Sequence, residues 1–149
     1  MKYLKVVSEG WISTVSINRP ESMNALSTEV LKEFCSLQER FREDLETRVV
    51  IFTGEGENFS AGADLKEKAQ LSTKLESWRN NFGKPAIKSI LDIDQITIAA
   101  INGYCLGGAA CIASACDFRI ASHDALLGYP EINLGINSVS YTHLRAHET

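Results

Sequence analysis

Apolar and polar residues alternate through "YLKVVSEG" and "WISTVSINRP", on either side of Gly10. Period-two alternation around a glycine predicts a β-hairpin. In its second arm Ile12, Val15 and Ile17 come close to one-face spacing, and Pro20 ends the strand because it cannot donate to a ladder. "ESMNAL" then reads as a turn. The period changes after it. Val30, Phe34, Leu37 and Phe41 recur at helical spacing, so Ser27 to about Glu43 reads as one amphipathic helix. Ser27 is its expected N-cap, with Glu29 placed to complement the helix dipole.

"RVVIFTG" is a short β-branched run closed by glycine, the pattern of a buried parallel strand. "EGENFSAGADL" is a glycine-rich loop. A polar, helical stretch follows from Leu65 to about Asp94, broken near Gly83-Lys84-Pro85. "QITIAAING" reads as a second buried strand, "GGAACIASACD" as a short apolar helix, and "FRIAS" and "ALLGY" as further short strands. Strands alternating with helices and buried runs predict an α/β fold with parallel pairing. No repeat or linker marks a boundary before about Asn137. From Ser138 the polar "SVSYTHLRAHET" departs from the pattern and reads as a disordered terminus or a non-native junction.

Charge and cysteine usage narrow the function classes. The 149 residues carry a net charge of −4 with no basic runs, which argues against a nucleic-acid surface. No apolar stretch approaches the roughly 20 residues of a membrane span, and "MKYLKVVSEG" lacks a secretory h-region. A cytoplasmic domain is expected. Four cysteines without CxxC spacing fit reduced, buried thiols and no zinc ribbon. His143 and His147 stand four apart, but Arg145 and Ala146 fill the places where a zincin helix keeps its acid, so no metal site is expected.

The chain uses one device twice: a buried strand, a glycine turn and a helix, first in "VVIFTG…FSAGADL" and again in "ITIAAINGYCLGGAAC". Such turns leave backbone N–H groups unpaired at a helix start, where the dipole favours negative charge. Two of them on neighbouring parallel strands can aim one N–H each at a single oxygen, an oxyanion hole made of main chain. Spacing alone equally fits glycines that only permit tight turns. "GEGENF" lacks the third glycine of a dinucleotide fingerprint, and no GxxxxGK[ST] occurs, which excludes a P-loop.

"INRPESMNAL", "FSAGADL", "AAINGYCLGGA", "CDFRIAS" and "GYPEINLGI" occur in an order and spacing that resemble the crotonase family (enoyl-CoA hydratase/isomerase). The resemblance covers Leu4 to about Asn137. It implies a crotonase-like spiral of ββα units over residues 1–137, with a C-terminal helical part missing and residues 138–149 a non-family tail. It also implies an acyl-CoA substrate, with coenzyme A part of that substrate and no separate cofactor, and a homotrimer or dimer of trimers for the full-length protein. By resemblance the oxyanion donors fall on Ala63 and Gly108, and the CoA-contacting loops on Ala25, Ala61, Asp64 and Leu65. The acid/base group falls on Glu131. Hydratases of the family resemble one another in having a second glutamate three residues after the oxyanion glycine, and here that place holds Cys111. A lone Glu131 points to isomerisation of an enoyl-CoA double bond; hydration and a non-catalytic acyl-CoA-binding fragment are the alternatives.

Overall fold

The computed structural model describes residues 1–68 and 81–130. The expected hairpin forms: β1 (Leu4–Glu9) pairs antiparallel with β2 (Ile12–Ile17) around Gly10. Parity decides which arm residues face inward. Ser13, Val15 and Ile17 are buried, whereas Ile12 lies on the opposite face and is exposed, so it does not share a face with Val15 and Ile17. A 3-10 turn at Pro20–Ser22 follows, and Met23 and Asn24 then adopt left-handed backbone.

Ser27 caps the next helix as expected, its Oγ accepting the Val30 N–H at 3.3 Å. The single helix expected from Ser27 to Glu43 is instead two, α1 (Thr28–Cys35) and α2 (Leu37–Glu43). Ser36 explains the break. Its hydroxyl donates to the Glu33 carbonyl at 2.7 Å, and its N–H turns to the same oxygen, so side chain competes with helix ladder. Val30, Phe34, Leu37 and Phe41 are nevertheless all buried, because the break keeps their stripe on one side.

Strands β3 (Val49–Gly54) and β4 (Ile96–Ile101) continue the sheet in parallel, and β6 (Phe118–Ala121) closes it in the order β1-β2-β3-β4-β6. The stretch expected to be helical from Leu65 yields α3 (Leu65–Lys68), residues 69–80 lying outside the described part, and α4 (Gly83–Leu91). The glycine–proline break is thus a helix start, where Pro85 sits in the first turn and costs no internal hydrogen bond. The apolar run after Gly107 forms α5 (Gly108–Ala115). Helices α1, α4 and α5 pack together over one face of the sheet. Phe34 and Phe52, with ring centroids 6.1 Å apart, join α1 to β3 in that core. Burial of each such ring is worth about 1.5–3 kcal/mol.

A second, smaller layer holds the glycine loops. Strand β5 (Tyr104–Leu106) pairs in parallel with β7 (Leu126–Gly128), and single bridges add Ser60 beside Cys105 and Leu26 beside Ala63. Asn24 locks this layer to the first sheet. It is fully buried, its Oδ1 accepts the Arg19 N–H at 2.9 Å, and its Nδ2 donates to the Glu55 and Asn58 carbonyls at 2.9 and 2.6 Å. Asn24→Ala is expected to cost on the order of 3 kcal/mol, since it strands three backbone groups and removes a residue type suited to left-handed backbone. Urea titration should register this as a lower midpoint with an unchanged slope.

Candidate active site

The two glycine turns meet. The first leaves β3 and runs beside β5: the Ser60 N–H donates to the Tyr104 carbonyl at 2.8 Å, and the Leu106 N–H donates to Ser60 at 3.1 Å. Its other edge is held by the segment after the 3-10 turn, with Ala61 N–H on the Met23 carbonyl, Leu26 N–H on Gly62 and Asp64 N–H on Leu26. Gly62, at φ +90°, lies against the second turn so closely that a Cβ there would come within 2.5 Å of the Leu106 carbonyl oxygen and 3.7 Å of the Gly108 nitrogen.

This ladder decides where Ala63 points. Its neighbours Gly62 and Asp64 bond to Leu26, so alternation turns the Ala63 N–H to the opposite side, toward β5 and the start of α5. Gly108 opens α5, and a first-turn N–H has no intrahelical acceptor. Neither N–H is taken up by a hydrogen bond among the described residues. Gly107 makes the turn possible with φ 55° and ψ −117°, a conformation suited to glycine. Its own N–H donates to the Gly128 carbonyl at 2.9 Å, which ties the turn to the end of β7.

The remaining expected site residues divide. Ala25 and Ala61 are partly buried in the loops bridged to the first turn, and Leu65 is exposed at the start of α3. Asp64 is occupied structurally. Its Oδ2 receives Arg19 Nη1 at 3.1 Å, and its Oδ1 accepts the N–H groups of Lys66 and Glu67, capping α3. The same Arg19 nitrogen donates to the Ala25 carbonyl at 2.7 Å. Arg19 is the residue that reading for chemistry missed, although it stands in the quoted "INRP". Glu131 lies outside the described residues, as do His143 and His147.

Partial burial alone would raise the Asp64 carboxyl; the Arg19 hydrogen bond, the Glu67 N–H and the Arg19 charge outweigh it, so the group sits below the usual carboxylate range. A depressed folded value stabilises the fold above the unfolded pKa of about 3.9 and loses that contribution as pH falls through the folded value. Asp64→Asn keeps a capping side chain and removes the charge. The stability gap between wild type and Asp64→Asn is expected to be full at pH 7 and to shrink below pH 4, as denaturant titrations at both pH values would measure.

Among the described residues, the acid and the thiols nearest this turn in sequence are otherwise engaged or buried. Asp117, the one acid in the window after Gly108, accepts the Thr97 N–H and hydroxyl, both at 2.8 Å, and so anchors the start of β4. Cys111 is 0% exposed inside α5. Burial pushes the thiols of Cys105 and Cys116 up to about 12, so neither forms thiolate at neutral pH.

A family model described as enoyl-CoA hydratase/isomerase matches residues 8–147. The chain belongs to that family. It is 40% identical over 129 residues to a short-chain-enoyl-CoA hydratase of Clostridium acetobutylicum, covering 86% of this chain and 49% of that protein. A probable enoyl-CoA hydratase of Bacillus subtilis is 38% identical over 137 residues, 91% of this chain and 53% of its own. The solved enoyl-CoA hydratase of Bacillus anthracis superposes with a TM-score of 0.87 at 36% identity, over 93% of this chain and 54% of that one. The chain therefore spans about half the length of these relatives, and its described part is the first portion of the expected crotonase-type α/β fold. Among the described residues no helix is long and apolar enough to cross a membrane.

Proposed function

We propose that the complete protein is an acyl-CoA enzyme that holds a thioester enolate between the N–H groups of Ala63 and Gly108, and that its favoured reaction is migration of an enoyl-CoA double bond. Glu131 takes a proton from C2 of a 3-enoyl thioester. The electron pair moves onto the thioester oxygen, where the two N–H groups stabilise it. The same carboxyl then returns the proton at C4, leaving the 2-enoyl product. Each backbone donor of this kind contributes about 2.7–4 kcal/mol to the transition state. Ala25, Ala61 and Leu65 would line the CoA approach, and Asp64 would support it by fixing Arg19 and α3 rather than by touching substrate.

The observation that carries the choice of reaction is Cys111. Hydration needs a water held between two carboxylates, and the position one turn into α5 offers a fully buried thiol instead. Hydration is the second reading, favoured by the names of the hydratases that the chain resembles. Initial rates on a 3-enoyl-CoA and on a 2-enoyl-CoA separate them. Faster conversion of the 3-enoyl substrate supports isomerisation, and faster hydration of the 2-enoyl substrate overturns it.

A further inference from the structure

The two proposed donors are backed differently. Gly108 opens α5, so the aligned peptide groups of that helix stand behind its N–H. Ala63 has no helix behind it: it follows Gly62 in a loop, and α3 begins only at Leu65. The hydrogen bonds that end on this loop show what stands there instead.

A trans peptide group is planar, and its C=O and N–H point in opposite directions. The Ala63 N–H therefore points away from the Gly62 carbonyl, with which it shares a plane. That carbonyl accepts the Leu26 N–H at 2.7 Å. The Leu26 N–H in turn shares a plane with the Ala25 carbonyl, which accepts Arg19 Nη1, also at 2.7 Å. Arg19, two peptide groups and the Ala63 N–H thus form one chain of hydrogen bonds. Every dipole in it has the same sense, with oxygen toward the guanidinium and hydrogen toward Ala63. A cation at one end and a negative oxygen at the other both favour that alignment, and the groups of such a chain polarise one another.

Arg19 is itself held firmly. Its backbone N–H donates to Asn24 Oδ1 at 2.9 Å, and its guanidinium lies 5.8 Å from the centre of the Tyr3 ring. The Asp64 carboxylate holds the same Nη1 at 3.1 Å, with the two side chains only 17% and 15% exposed, so water and salt screen the pair little.

We propose that Arg19 is a positioning residue for the reaction: through the Ala25–Leu26 and Gly62–Ala63 peptide groups it aims the Ala63 N–H and strengthens it as a donor to the thioester oxygen. The inference rests on the proposed enolate chemistry and adds to it a residue that touches no substrate. An ion pair that served only the fold would affect stability alone.

The probe is butyryl-CoA labelled at its carbonyl carbon, a saturated thioester with no double bond to move or hydrate, read by difference infrared spectroscopy on the complete protein. Hydrogen bonds to the thioester oxygen shift the carbonyl band to lower wavenumber, a signal per bound molecule that stability does not move. Losing a backbone donor outright costs about 10²–10³ in kcat, so weakening one should cost about tenfold. Arg19→Met is therefore expected to lose about half of the wild-type shift or more and to lower kcat about tenfold. Arg19→Lys, which keeps a charged donor, should recover part of both. Circular dichroism checks the fold, and Arg19→Gln is read in place of Arg19→Met if the latter does not fold. A full shift, or wild-type kcat, in the folded uncharged variant overturns this inference and leaves the catalytic reading standing. No shift and no turnover in the wild type would overturn both.

Discussion

Gly62→Ala should abolish most of the thioester chemistry while leaving the first sheet folded. The side chain is the smallest possible addition, yet its Cβ would stand 2.5 Å from the Leu106 carbonyl oxygen, on backbone that cannot swing aside like a side chain. A φ of +90° adds strain for any residue with a Cβ. Relief requires the first turn to move away from β5, which carries the Ala63 N–H away from the Gly108 N–H. Separating two donors from one oxygen is equivalent to losing one of them, a drop of about 10²–10³ in kcat. Overpacking and backbone strain together are expected to lower stability by about 2–4 kcal/mol. The readout is kcat for a CoA thioester beside a denaturant midpoint. A variant that loses stability but keeps wild-type kcat would mean that the contact between the turns is only packing.

Much of this arrangement is legible before any coordinates. Hydrophobic runs closed by glycine mark β3 and β4, and the glycine turns themselves announce a close backbone approach. What the pattern misreads has local or tertiary causes. Ser36 carries no periodicity signal, because its hydroxyl breaks the helix through a bond to Glu33 that spacing does not encode. Strands β3 and β4 read as buried on both faces, whereas among the described residues one face is buried and the other is half-buried, with Ile96 exposed. The pairing of Asp64 with Arg19, 45 positions earlier in the chain, is a tertiary contact that no local pattern encodes. The two glycine turns show the same division: each is visible alone, but their meeting depends on Gly62 abutting Leu106, a contact between loops 44 residues apart.

The absence of a carboxylate from α5 makes the last prediction sharp. Glu131→Gln preserves shape and hydrogen bonding but cannot carry a proton between C2 and C4. Around the turn, Asp64 is committed to Arg19 and to the cap of α3, Asp117 is committed to Thr97, and Cys111 is sealed in the core. Cys105 and Cys116, with thiols pushed up to about 12, do not ionise near neutrality. No described neighbour of Gly108 is therefore placed to substitute for the lost base. Loss of general acid–base catalysis is worth about 10²–10⁴ in rate, and here it should fall on kcat with KM little changed, because the N–H pair still receives the thioester oxygen. The loss should extend to both the 3-enoyl and the 2-enoyl substrate, since the proposed mechanism gives every proton transfer to one carboxyl. Hydration of a 2-enoyl-CoA at the wild-type rate by Glu131→Gln would show that the proton travels by another group, and the single-carboxylate mechanism would be abandoned.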